Sequence, residues 1–475
     1  MKFMKVQYKK VTAEVLTAFK EIIGDAYVLS DAEQINRYSH DYTEDLNYYP
    51  EVVLKPASAK EISLILKLCN EQLIPVTARG AGTGLSGGAL PLLGGVVLSM
   101  ERFNKILEID ERNFQATVEP GVINETFQQA VQEKGLFYPP DPASKGSCFL
   151  GGNLAHASGG PRALKYGTTR DYVLNMEIVL PNGEVIWTGA NTLKYSTGYN
   201  LTHLMIGSEG TLAVITRIVF KLIPLPKHNL LMFVPFQNAE MACVAVAQVF
   251  RAGFTPSCCE FMEEEGLKLS AAMHGLTFNF TPGAEAYLLL EVDGNEIEQI
   301  NKEAEQIAEV LYREGCIDVL LADSSEQKEL FWKLRRSIGE AVKTRSVYKE
   351  EDTVVPRAEL PVLMKGIKTL EKKYGFKSVS YGHAGDGNLH INILKDSLTD
   401  EQWDGMINEA IREIFKLCVE LKGTISGEHG IGFVQKNFMD IPLTSVHFKL
   451  MKGIKAVFDP NYILNPGKMI PDDDC

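Results

Sequence analysis

Hydrophobic residues in the first half of the chain fall into short segments of helical or strand spacing, separated by Gly and Pro. Apolar residues at helical intervals predict helices, and short apolar runs predict strands. The predicted helices span residues 12–23, 59–73 and 122–134. The predicted strands span residues 51–56, 74–77, 95–99, 106–110, 115–119, 176–180, 184–188 and 212–222. Because strands and helices do not alternate strictly, the pattern predicts an α+β domain.

The pattern changes after Pro224-Leu225-Pro226, which interrupts both helices and strands. Longer amphipathic helices follow, and they are predicted at residues 238–251, 296–314, 326–344, 401–421 and 443–457. Two further strands are predicted at residues 230–235 and 287–292. We therefore place a domain boundary at residue 226.

The composition is that of an ordinary globular protein, with 45% hydrophobic and 23% charged residues. The net charge of -13 argues against a nucleic-acid-binding surface and against electrostatic attachment to anionic lipid. No apolar run has membrane-spanning length, and residues 1–10 lack the apolar core of a signal peptide. The eight cysteines include no C-x-x-C pair, which argues against a zinc ribbon or an iron–sulfur cluster. We expect a cytoplasmic protein with reduced thiols.

A glycine-rich stretch, Ala78 to Gly88, follows the predicted strand at residues 74–77. Glycine permits positive φ and lets backbone N–H groups approach phosphate oxygens, and Arg79 adds a positive charge. The spacing matches neither the P-loop nor a G-x-G-x-x-G that opens a helix. The stretch could be an anion-binding loop or a mobile surface turn. Which of the two it is depends on whether the rest of the chain builds a ligand site around it.

A second glycine-rich region follows the loop at residues 138–142, and a third loop, residues 207–211, has the sequence Gly-Ser-Glu-Gly-Thr. The glycine motifs of the second region are Gly146-Ser147, Gly151-Gly152-Asn153, Gly159-Gly160 and Tyr166-Gly167. Each glycine costs backbone entropy, so such segments are expected where a ligand replaces the missing side chains. The glycine-rich stretch at residues 78–88 and this second region together predict a site for one large ligand.

A hairpin with two histidines is predicted around Asp386-Gly387. If these two residues form a type I′ turn, His383 lies directly opposite His390. Directly opposed residues share a face of the sheet, so both imidazoles could reach one ion. Asn392, two residues further on, would point the same way.

The downstream sequence Ser-Gly-Glu-His-Gly adds a carboxylate, Glu428, and a third histidine, His429. Two histidines and one carboxylate leave a fourth position open, as in catalytic rather than structural metal sites. The alternative is a stacked pair of hydrogen-bonded histidines beside a solvated Glu-His pair.

Together these motifs resemble those of the flavin-dependent oxidoreductases of the vanillyl-alcohol-oxidase type. The most similar branch is the D-2-hydroxyacid dehydrogenases, which include D-lactate, glycolate and D-2-hydroxyglutarate enzymes. The resemblance extends from residue 41 to residue 468. It implies an α+β fold with a bipartite FAD-binding domain, residues 1–226 and 431–475, and an α+β substrate or cap domain with an antiparallel sheet, residues 227–430.

The resemblance also implies which residues contact FAD. The glycine loop would hold the pyrophosphate, the second region would line the adenosine and isoalloxazine, and Glu209-Gly210 would close the site. The implied cofactor-binding residues are Arg79, Gly80, Ala81, Gly82, Thr83, Gly84, Leu85, Ser86, Gly87, Pro140, Asp141, Pro142, Ser147, Gly151, Gly152, Asn153, Gly159, Gly160, Tyr166, Gly167, Glu209, Gly210, Asn465 and Lys468. The glycine loop contains no His or Cys, so we expect non-covalent FAD, although Cys148 and His156 lie in the second region.

Metal-binding members of this family carry two histidines separated by six residues, followed by S-G-E-H-G, and both motifs are present. The implied ligands of a divalent metal, zinc or manganese, are His383, His390 and Glu428. The implied catalytic residues are Arg335, Lys349, Asn392 and His429. Of these, Arg335 and Lys349 would hold the substrate carboxylate, and His429 would be the base.

The implied reaction is FAD-dependent oxidation of a small D-2-hydroxy acid, D-lactate or glycolate, to the 2-oxo acid. A divalent metal would orient the substrate, His429 would remove the hydroxyl proton, and flavin N5 would take the hydride. D-2-hydroxyglutarate is the alternative substrate. The electrons would leave through a quinone, a flavoprotein or cytochrome carrier, or a partner subunit. A homodimer and a peripheral position at the inner face of a membrane are further expectations.

Two functions of other classes compete with this interpretation. A zinc-dependent hydrolase uses the same types of metal ligand, but the chain lacks the H-E-x-x-H motif. The hydrolase interpretation also leaves the two glycine-rich regions without a function. A non-catalytic flavin electron-transfer subunit would leave His383, His390 and the Glu428-His429 pair without a role. The sequence therefore favours the dehydrogenase.

Overall fold

The computed structural model describes residues 6–43 and 46–471. The chain divides into two compact units. The first combines Met1–Gly159, Thr168–Leu225 and Glu428–Cys475, and the second combines Gly160–Gly167 and Pro226–Gly427. Within the described residues, no helix is both long enough and apolar enough to cross a membrane.

Helices and strands are numbered separately in chain order. The helices are α1 (Ala13–Ile23), α2 (Ala32–Asn36), α3 (Ala59–Gln72), α4 (Asn124–Gln132), α5 (Leu150–His156), α6 (Ala163–Tyr166), α7 (Leu201–Met205), α8 (Ala239–Arg251), α9 (Glu264–Met273), α10 (Ile297–Arg313), α11 (Ser325–Arg336), α12 (Ile338–Arg345), α13 (Leu360–Tyr374), α14 (Asp400–Glu420) and α15 (Ser445–Phe458). The strands are β1 (Val28–Leu29), β2 (Val52–Leu54), β3 (Val76–Arg79), β4 (Val96–Ser99), β5 (Ile106–Asp110), β6 (Gln115–Val118), β7 (Leu136–Phe137), β8 (Val173–Val179), β9 (Val185–Trp187), β10 (Val214–Lys221), β11 (Ile223–Pro224), β12 (His228–Phe236), β13 (Cys258–Glu263), β14 (Ala286–Gly294), β15 (Leu320–Leu321), β16 (Tyr348–Val354), β17 (Lys377–His383) and β18 (Asn388–Leu394).

The first unit contains a four-stranded sheet in the order β1-β2-β4-β3, in which β2, β4 and β3 are parallel. Helix α3 begins at Ala59, as predicted, and the Ser58 hydroxyl before it accepts the Glu61 N–H. Its apolar residues, Ile62, Ile65 and Leu66, are fully buried in the core that includes β2, β3 and β4. A five-stranded antiparallel sheet, β5-β6-β10-β8-β9, belongs to the same unit.

The C-terminal segment packs back onto the first unit. Leu464 forms a parallel bridge with Val76, and the Asn465 N–H donates to the Val76 carbonyl at 2.8 Å. The end of the chain therefore lies along β3, the strand that leads into the glycine loop.

The second unit is built on a seven-stranded antiparallel sheet in the order β15-β12-β14-β13-β17-β18-β16. Helices α9, α11 and α12 contribute to a core on one face of this sheet. In that core the ring of Phe233 stacks on Tyr287 at 4.8 Å and on Phe331 at 4.7 Å. The α+β class and the antiparallel sheet of the second domain are confirmed.

The segment Gly160–Gly167 groups with the second unit, although the sequence suggested that it belongs to the first. Lys165 forms an ion pair with Asp293 at the end of β14, and the Tyr166 hydroxyl donates to the same carboxylate at 2.7 Å. Arg162 lies 3.4 Å from Glu291 on that strand. These charge-assisted contacts fasten the segment to β14.

Several elements differ from the prediction. The single helix expected at residues 326–344 is two helices, α11 and α12, which meet at Ser337. Gly151 and Gly152 lie inside helix α5 rather than in a loop. Strands β13 and β16 and helices α9 and α13 were not predicted. In β16 the buried side chains include Glu351 and Asp352, so the strand lacks the apolar pattern on which the prediction relied.

Candidate active site

The glycine loop of the first unit begins where β3 ends at Arg79. Arg79 is 6% exposed, and its guanidinium donates to the carbonyls of His40 at 2.8 Å and Ala89 at 3.4 Å. Burial lowers the pKa of Arg79, and the nearby charge of Asp41 opposes that effect. Arg79 thus binds backbone carbonyls beside the loop and holds it in place. The sequence predicted only that its charge would face the ligand.

Close backbone packing requires glycine at particular positions of this loop. Gly82 has φ +76°, and a Cβ there would lie 2.2 Å from Arg79 Nη2. Gly432 lies outside the loop and packs against it, since a Cβ there would lie 2.1 Å from the Ser86 carbonyl oxygen. Ser86 is 1% exposed, and among the described residues its hydroxyl has no hydrogen-bond partner. A hydroxyl and a glycine backbone in this arrangement fit a phosphate-bearing cofactor.

Asn465 and Lys468, which the sequence analysis named as FAD contacts, both bind the backbone of the glycine loop. The Asn465 amide donates to the carbonyls of Gly88 at 3.1 Å and Glu209 at 2.7 Å. The Lys468 ammonium donates to Gly88 O at 2.9 Å and to Asn465 Oδ1 at 2.5 Å. Burial lowers the pKa of Lys468 to about 7, against the opposing charges of Asp41 and Glu209.

Glu209 holds the backbone that follows His429. Its two carboxylate oxygens accept the N–H groups of Ile431 and Gly432, each at 2.7 Å, and the residue is 5% exposed. Its φ of 50° is left-handed, an unusual conformation for a residue other than glycine. The sequence suggested Glu209 as a residue closing the FAD site, and it did not indicate this contact with the backbone.

The second glycine-rich region is held by two buried amides that the sequence analysis missed. Asn124 donates to the Pro140 carbonyl at 3.2 Å, and Gln128 donates to the carbonyls of Tyr138 and Pro140 at 3.0 Å each. Both amides lie on the buried face of α4. Polar residues on the buried face of a predicted helix could have indicated this role from the sequence. In the same region Asp141 is buried.

Other predicted cofactor residues of this region have different surroundings. Gly151 packs on Pro120, since its N–H donates to Pro120 O at 2.8 Å and a Cβ would lie 2.6 Å from Pro120 Cβ. Ser147 is exposed and donates to Ser144 O at 3.3 Å. Gly160, Tyr166 and Gly167 belong to the second unit, so the structure does not group them with the other predicted FAD residues.

In the second unit, the predicted register of the histidine hairpin is wrong. His383 pairs with Asn388, and His390 pairs with Tyr381, so the loop has four residues instead of two. The Gly385 N–H donates to the Cys259 carbonyl at 2.9 Å, and the Gly387 carbonyl accepts the Val355 N–H at 3.0 Å. Neighbouring segments thus bind backbone groups of the turn residues, which opens the turn.

The two histidines nevertheless share a face of the sheet, because the register differs by two residues and side chains alternate with a period of two. Their rings lie 5.6 Å apart in a T-shaped arrangement. One ring nitrogen of His383 and one of His390 lie within 4.8 Å of each other. The predicted convergence of these two imidazoles is therefore present, with a diagonal rather than a direct pairing.

Glu260, at the centre of β13, was not predicted. Its side chain is fully buried, and both carboxylate oxygens lie 2.9 Å from His383 Nδ1. Arg335 Nη2 lies 2.6 Å from Glu260 Oε2, and the guanidinium lies 5.0 Å from the centre of the Tyr381 ring. Burial tends to raise the pKa of Glu260, but His383 and Arg335 more than offset it and leave this pKa below its ordinary value. A glutamate flanked by Cys259 and Phe261 in an apolar run was the available signal.

Asp352 anchors the segment that leads to Glu428 and His429. It pairs with His390 across the ladder, and its carboxylate accepts the Asn388 amide, the Ser426 hydroxyl and the Gly427 N–H at 2.8 Å each. A Cβ on Gly427 would lie 2.5 Å from Asn388 Nδ2. Gly427 ends the second unit, and Glu428 and His429 follow it in the chain.

The remaining predicted catalytic residues separate into two faces of the sheet. Asn392 pairs with Glu350 and lies on the face of the histidines, and no described residue donates to its fully buried amide oxygen. Lys349 pairs with Ile393 and therefore points to the opposite face. The structure thus does not bring Lys349 to the histidines, contrary to the prediction.

Tyr381 lies on the histidine face and was also missed by the sequence analysis. Burial and the charge of Glu350 raise the pKa of its hydroxyl well above the ordinary value, although Arg335 opposes this. The hydroxyl donates to Glu350 Oε1 at 3.2 Å. This face therefore contains imidazole, guanidinium, carboxylate, amide and protonated phenol groups, a donor set suited to a divalent ion and a carboxylate ligand.

The chain matches two protein families. Residues 50–189 match the FAD binding domain family, and residues 225–469 match the C-terminal domain of the FAD linked oxidases. The chain belongs to the FAD-linked oxidases of the vanillyl-alcohol-oxidase type. It is an FAD-dependent oxidoreductase by family.

Curated relatives cover almost the whole chain. A D-lactate dehydrogenase of Anaerostipes hadrus is 41% identical over 98% of both chains, and the glycolate oxidase subunit GlcD of Bacillus subtilis is 39% identical over 92% of both. A D-2-hydroxyglutarate dehydrogenase of Stutzerimonas stutzeri is 31% identical over 96% of this chain and 98% of its own. Among solved structures, p-cresol methylhydroxylase is similar with a TM-score of 0.78, at 21% identity and 98% coverage of both chains, which supports the fold.

Proposed function

We propose that this FAD-linked oxidoreductase oxidises a small D-2-hydroxy acid, D-lactate or glycolate, to the 2-oxo acid. The observation that carries the proposal is the array formed by His383 and Glu260 on the sheet of the second unit and Arg335 on helix α11. It combines an imidazole suited to a metal with a guanidinium suited to a carboxylate. Relatives named D-lactate dehydrogenase and glycolate oxidase subunit, aligned over more than nine-tenths of their length, support it.

In this proposal FAD is bound without a covalent link, by the glycine loop and by Asn465 and Lys468. The buried Ser86 hydroxyl supports the assignment, because it can bond to a phosphate or flavin oxygen. The absence of His and Cys from Gly80–Gly88 supports non-covalent attachment. The remaining predicted contacts, including Asp141, Asn153 and Gly210, stay part of the proposal.

The proposed metal ligands are His383, His390 and Glu428, with zinc or manganese as the ion. Nδ1 of His383 is engaged by Glu260, so Nε2 is its ligand atom. Glu428 follows Gly427, whose N–H is bonded to Asp352 on the strand next to the histidines.

The substrate carboxylate is assigned to Arg335, whose planar guanidinium can make two parallel hydrogen bonds. Asn392 lies on the same face of the sheet and supplies an amide for a second polar group of the substrate. Lys349 is left out of this assignment because it lies on the opposite face.

His429 is the proposed base that removes the proton from the C2 hydroxyl. The backbone before it is bonded to Asp352 through Gly427, and the backbone after it is bonded to Glu209 through Ile431 and Gly432. When bound, FAD supplies a hydride acceptor, and the divalent ion supplies a Lewis acid for the hydroxyl oxygen. A neutral imidazole held at both flanks can accept the proton near neutral pH.

The electrons must then pass to an acceptor outside this chain. We keep a quinone, a flavoprotein or cytochrome carrier, and a partner subunit as candidates, together with a homodimer and a peripheral position at the inner face of a membrane. The relative named as a glycolate oxidase subunit favours testing a partner subunit.

Anaerobic bleaching of the flavin tests the proposed reaction directly. Holoenzyme is mixed with D-lactate, glycolate, D-2-hydroxyglutarate and the L-forms of the two chiral acids, and the visible flavin absorbance is followed. We expect the fastest bleaching with D-lactate or glycolate. Fastest bleaching by D-2-hydroxyglutarate would identify that acid as the substrate instead. Preference for an L-form would contradict the proposed D-stereochemistry. Absence of bleaching by every acid would refute the proposed function.

A further inference from the structure

Glu260 connects the two chemical parts of the proposed site. It lies in the middle of β13 with a fully buried side chain. One carboxylate contacts both His383 Nδ1, at 2.9 Å from each oxygen, and Arg335 Nη2, at 2.6 Å. We propose that Glu260 is a positioning residue that fixes the tautomer of His383 and the orientation of Arg335. This inference rests on the proposed function of the same site.

The tautomer follows from the chemistry of the partners. An ionised carboxylate has acceptors and no donor, so the His383 nitrogen that faces it must carry a proton. With the proton on Nδ1, the lone pair of the neutral ring is on Nε2, where a metal can bind. The same hydrogen bond restricts rotation of the ring and makes Nε2 more basic. Glu260 therefore prepares His383 as a ligand before any ion arrives.

The contact with Arg335 prepares the carboxylate-binding group in the same way. The Arg335 side chain is 5% exposed, so its charge would be costly to bury without a counter-charge. Glu260 supplies that counter-charge, and the Tyr381 ring lies 5.0 Å from the guanidinium. Because a guanidinium has five N–H donors, one bond to Glu260 leaves others available to a substrate.

Exchange of Glu260 for Gln separates this role from simple packing. Glutamine has nearly the same volume, but it has one acceptor oxygen and one NH₂ donor group. If its oxygen takes the position of Oε2, beside Arg335, its NH₂ group takes the position of Oε1, 2.9 Å from Nδ1, and opposes a proton on that nitrogen. If its oxygen takes the position of Oε1, the NH₂ group opposes the N–H groups of Arg335. In neither orientation do both partners face acceptor oxygens alone, as they do with the carboxylate.

The first measurement is metal affinity, determined by competition with a chromogenic chelator for Zn²⁺ or Mn²⁺ in the purified full-length protein. Loss of a group that orients a metal ligand typically weakens metal binding about 10- to 100-fold, and we expect a weakening of that size for Glu260→Gln. The matched control is Glu263→Gln, which removes a carboxylate from the same strand, where it accepts the Ser380 N–H at 2.7 Å and pairs with Lys368. Glu263 alternates to the other face of β13, so the control should bind metal like the wild type.

The second measurement reads the tautomer without metal. Long-range ¹H–¹⁵N spectra of histidine-labelled, metal-free protein distinguish the two neutral tautomers, and the signal of His383 is the one lost in His383→Gln. We expect the proton on Nδ1 in the wild type and a changed pattern in Glu260→Gln. This wild-type spectrum does not depend on the folding of any variant.

The outcomes separate the inference from the proposed function. If the wild type binds neither Zn²⁺ nor Mn²⁺, the metal part of the proposed function fails. If the wild type binds metal but carries the His383 proton on Nε2, the positioning role of Glu260 is overturned. Wild-type metal affinity in a folded Glu260→Gln variant overturns it as well.

Discussion

Replacement of Glu209 by Gln should loosen the segment that contains Glu428 and His429. The Glu209 carboxylate accepts the N–H groups of Ile431 and Gly432, both at 2.7 Å, and the residue is 5% exposed. The left-handed φ of 50° at Glu209 is retained in a Gln variant, so any backbone strain is the same in both proteins. The difference between them therefore isolates the carboxylate.

The size of the effect follows from the two hydrogen bonds. Gln keeps one acceptor oxygen for one N–H, but its NH₂ group then faces the other, which is left without an acceptor. An unsatisfied buried donor costs roughly 1–3 kcal/mol. That free energy corresponds to a population change of about 5- to 150-fold. We expect the free energy of unfolding to decrease by roughly 1–3 kcal/mol. We expect the turnover number to decrease about 5- to 150-fold.

The assay compares Glu209→Gln with a control, Glu177→Gln, by urea unfolding, FAD content and steady-state kinetics. Glu177 lies in the same unit and accepts the Thr216 hydroxyl at 2.9 Å, far along the sequence from the His429 segment. We expect Glu209→Gln to keep its FAD and lose turnover, and the control to keep both. Wild-type stability and turnover in Glu209→Gln would refute the reasoning. Loss of FAD with turnover would mean that Glu209 is a cofactor contact, as the sequence first suggested.

Four further outcomes are expected. His383→Ala and His390→Ala should each lose bound metal and most turnover while retaining FAD, because too few ligands remain; elemental analysis checks this, and full activity of metal-free wild type would contradict it. Acid precipitation should release yellow FAD into the supernatant, whereas colour in the pellet would mean a covalent link. Arg335→Ala should raise the KM for D-lactate or glycolate about 10- to 150-fold, since a hydrogen bond to a charged group contributes roughly 1.5–3 kcal/mol; an unchanged KM would place the carboxylate contact elsewhere. Burial lowers the pKa of Lys468 to about 7, below the value of about 10.4 in an unfolded chain. Between these values the unfolded state binds more protons, so the unfolding free energy of FAD-free protein should rise with pH in urea titrations at pH 7 and pH 9. Lys468→Met should remove most of that rise, and an equal rise in both proteins would contradict the assignment.

The sequence by itself determined the features that depend on neighbours within a few residues. Ser58 begins α3 because its hydroxyl reaches the N–H three residues later, and this bond is present. The glycine loop could be located because only glycine permits the φ of +76° and the close approach at Gly82. The sequence predicted the wrong register for the hairpin but the right face for His383 and His390, because a shift of two residues preserves the alternation of side chains.

The tertiary structure decided what depends on elements far apart in the chain. Glu260 meets His383 only because β13 pairs with β17, more than 100 residues later, and no local spacing encodes that pairing. The same holds for Glu209, whose carboxylate bonds to Ile431 and Gly432. The four-residue loop after His383 also has this origin, since backbone groups outside the hairpin compete for those of the turn. A buried polar group needs a hydrogen-bond partner, and that partner can come from any part of the chain that the fold brings close. The sequence therefore indicates that a partner is needed, and only the folded chain shows which residue it is.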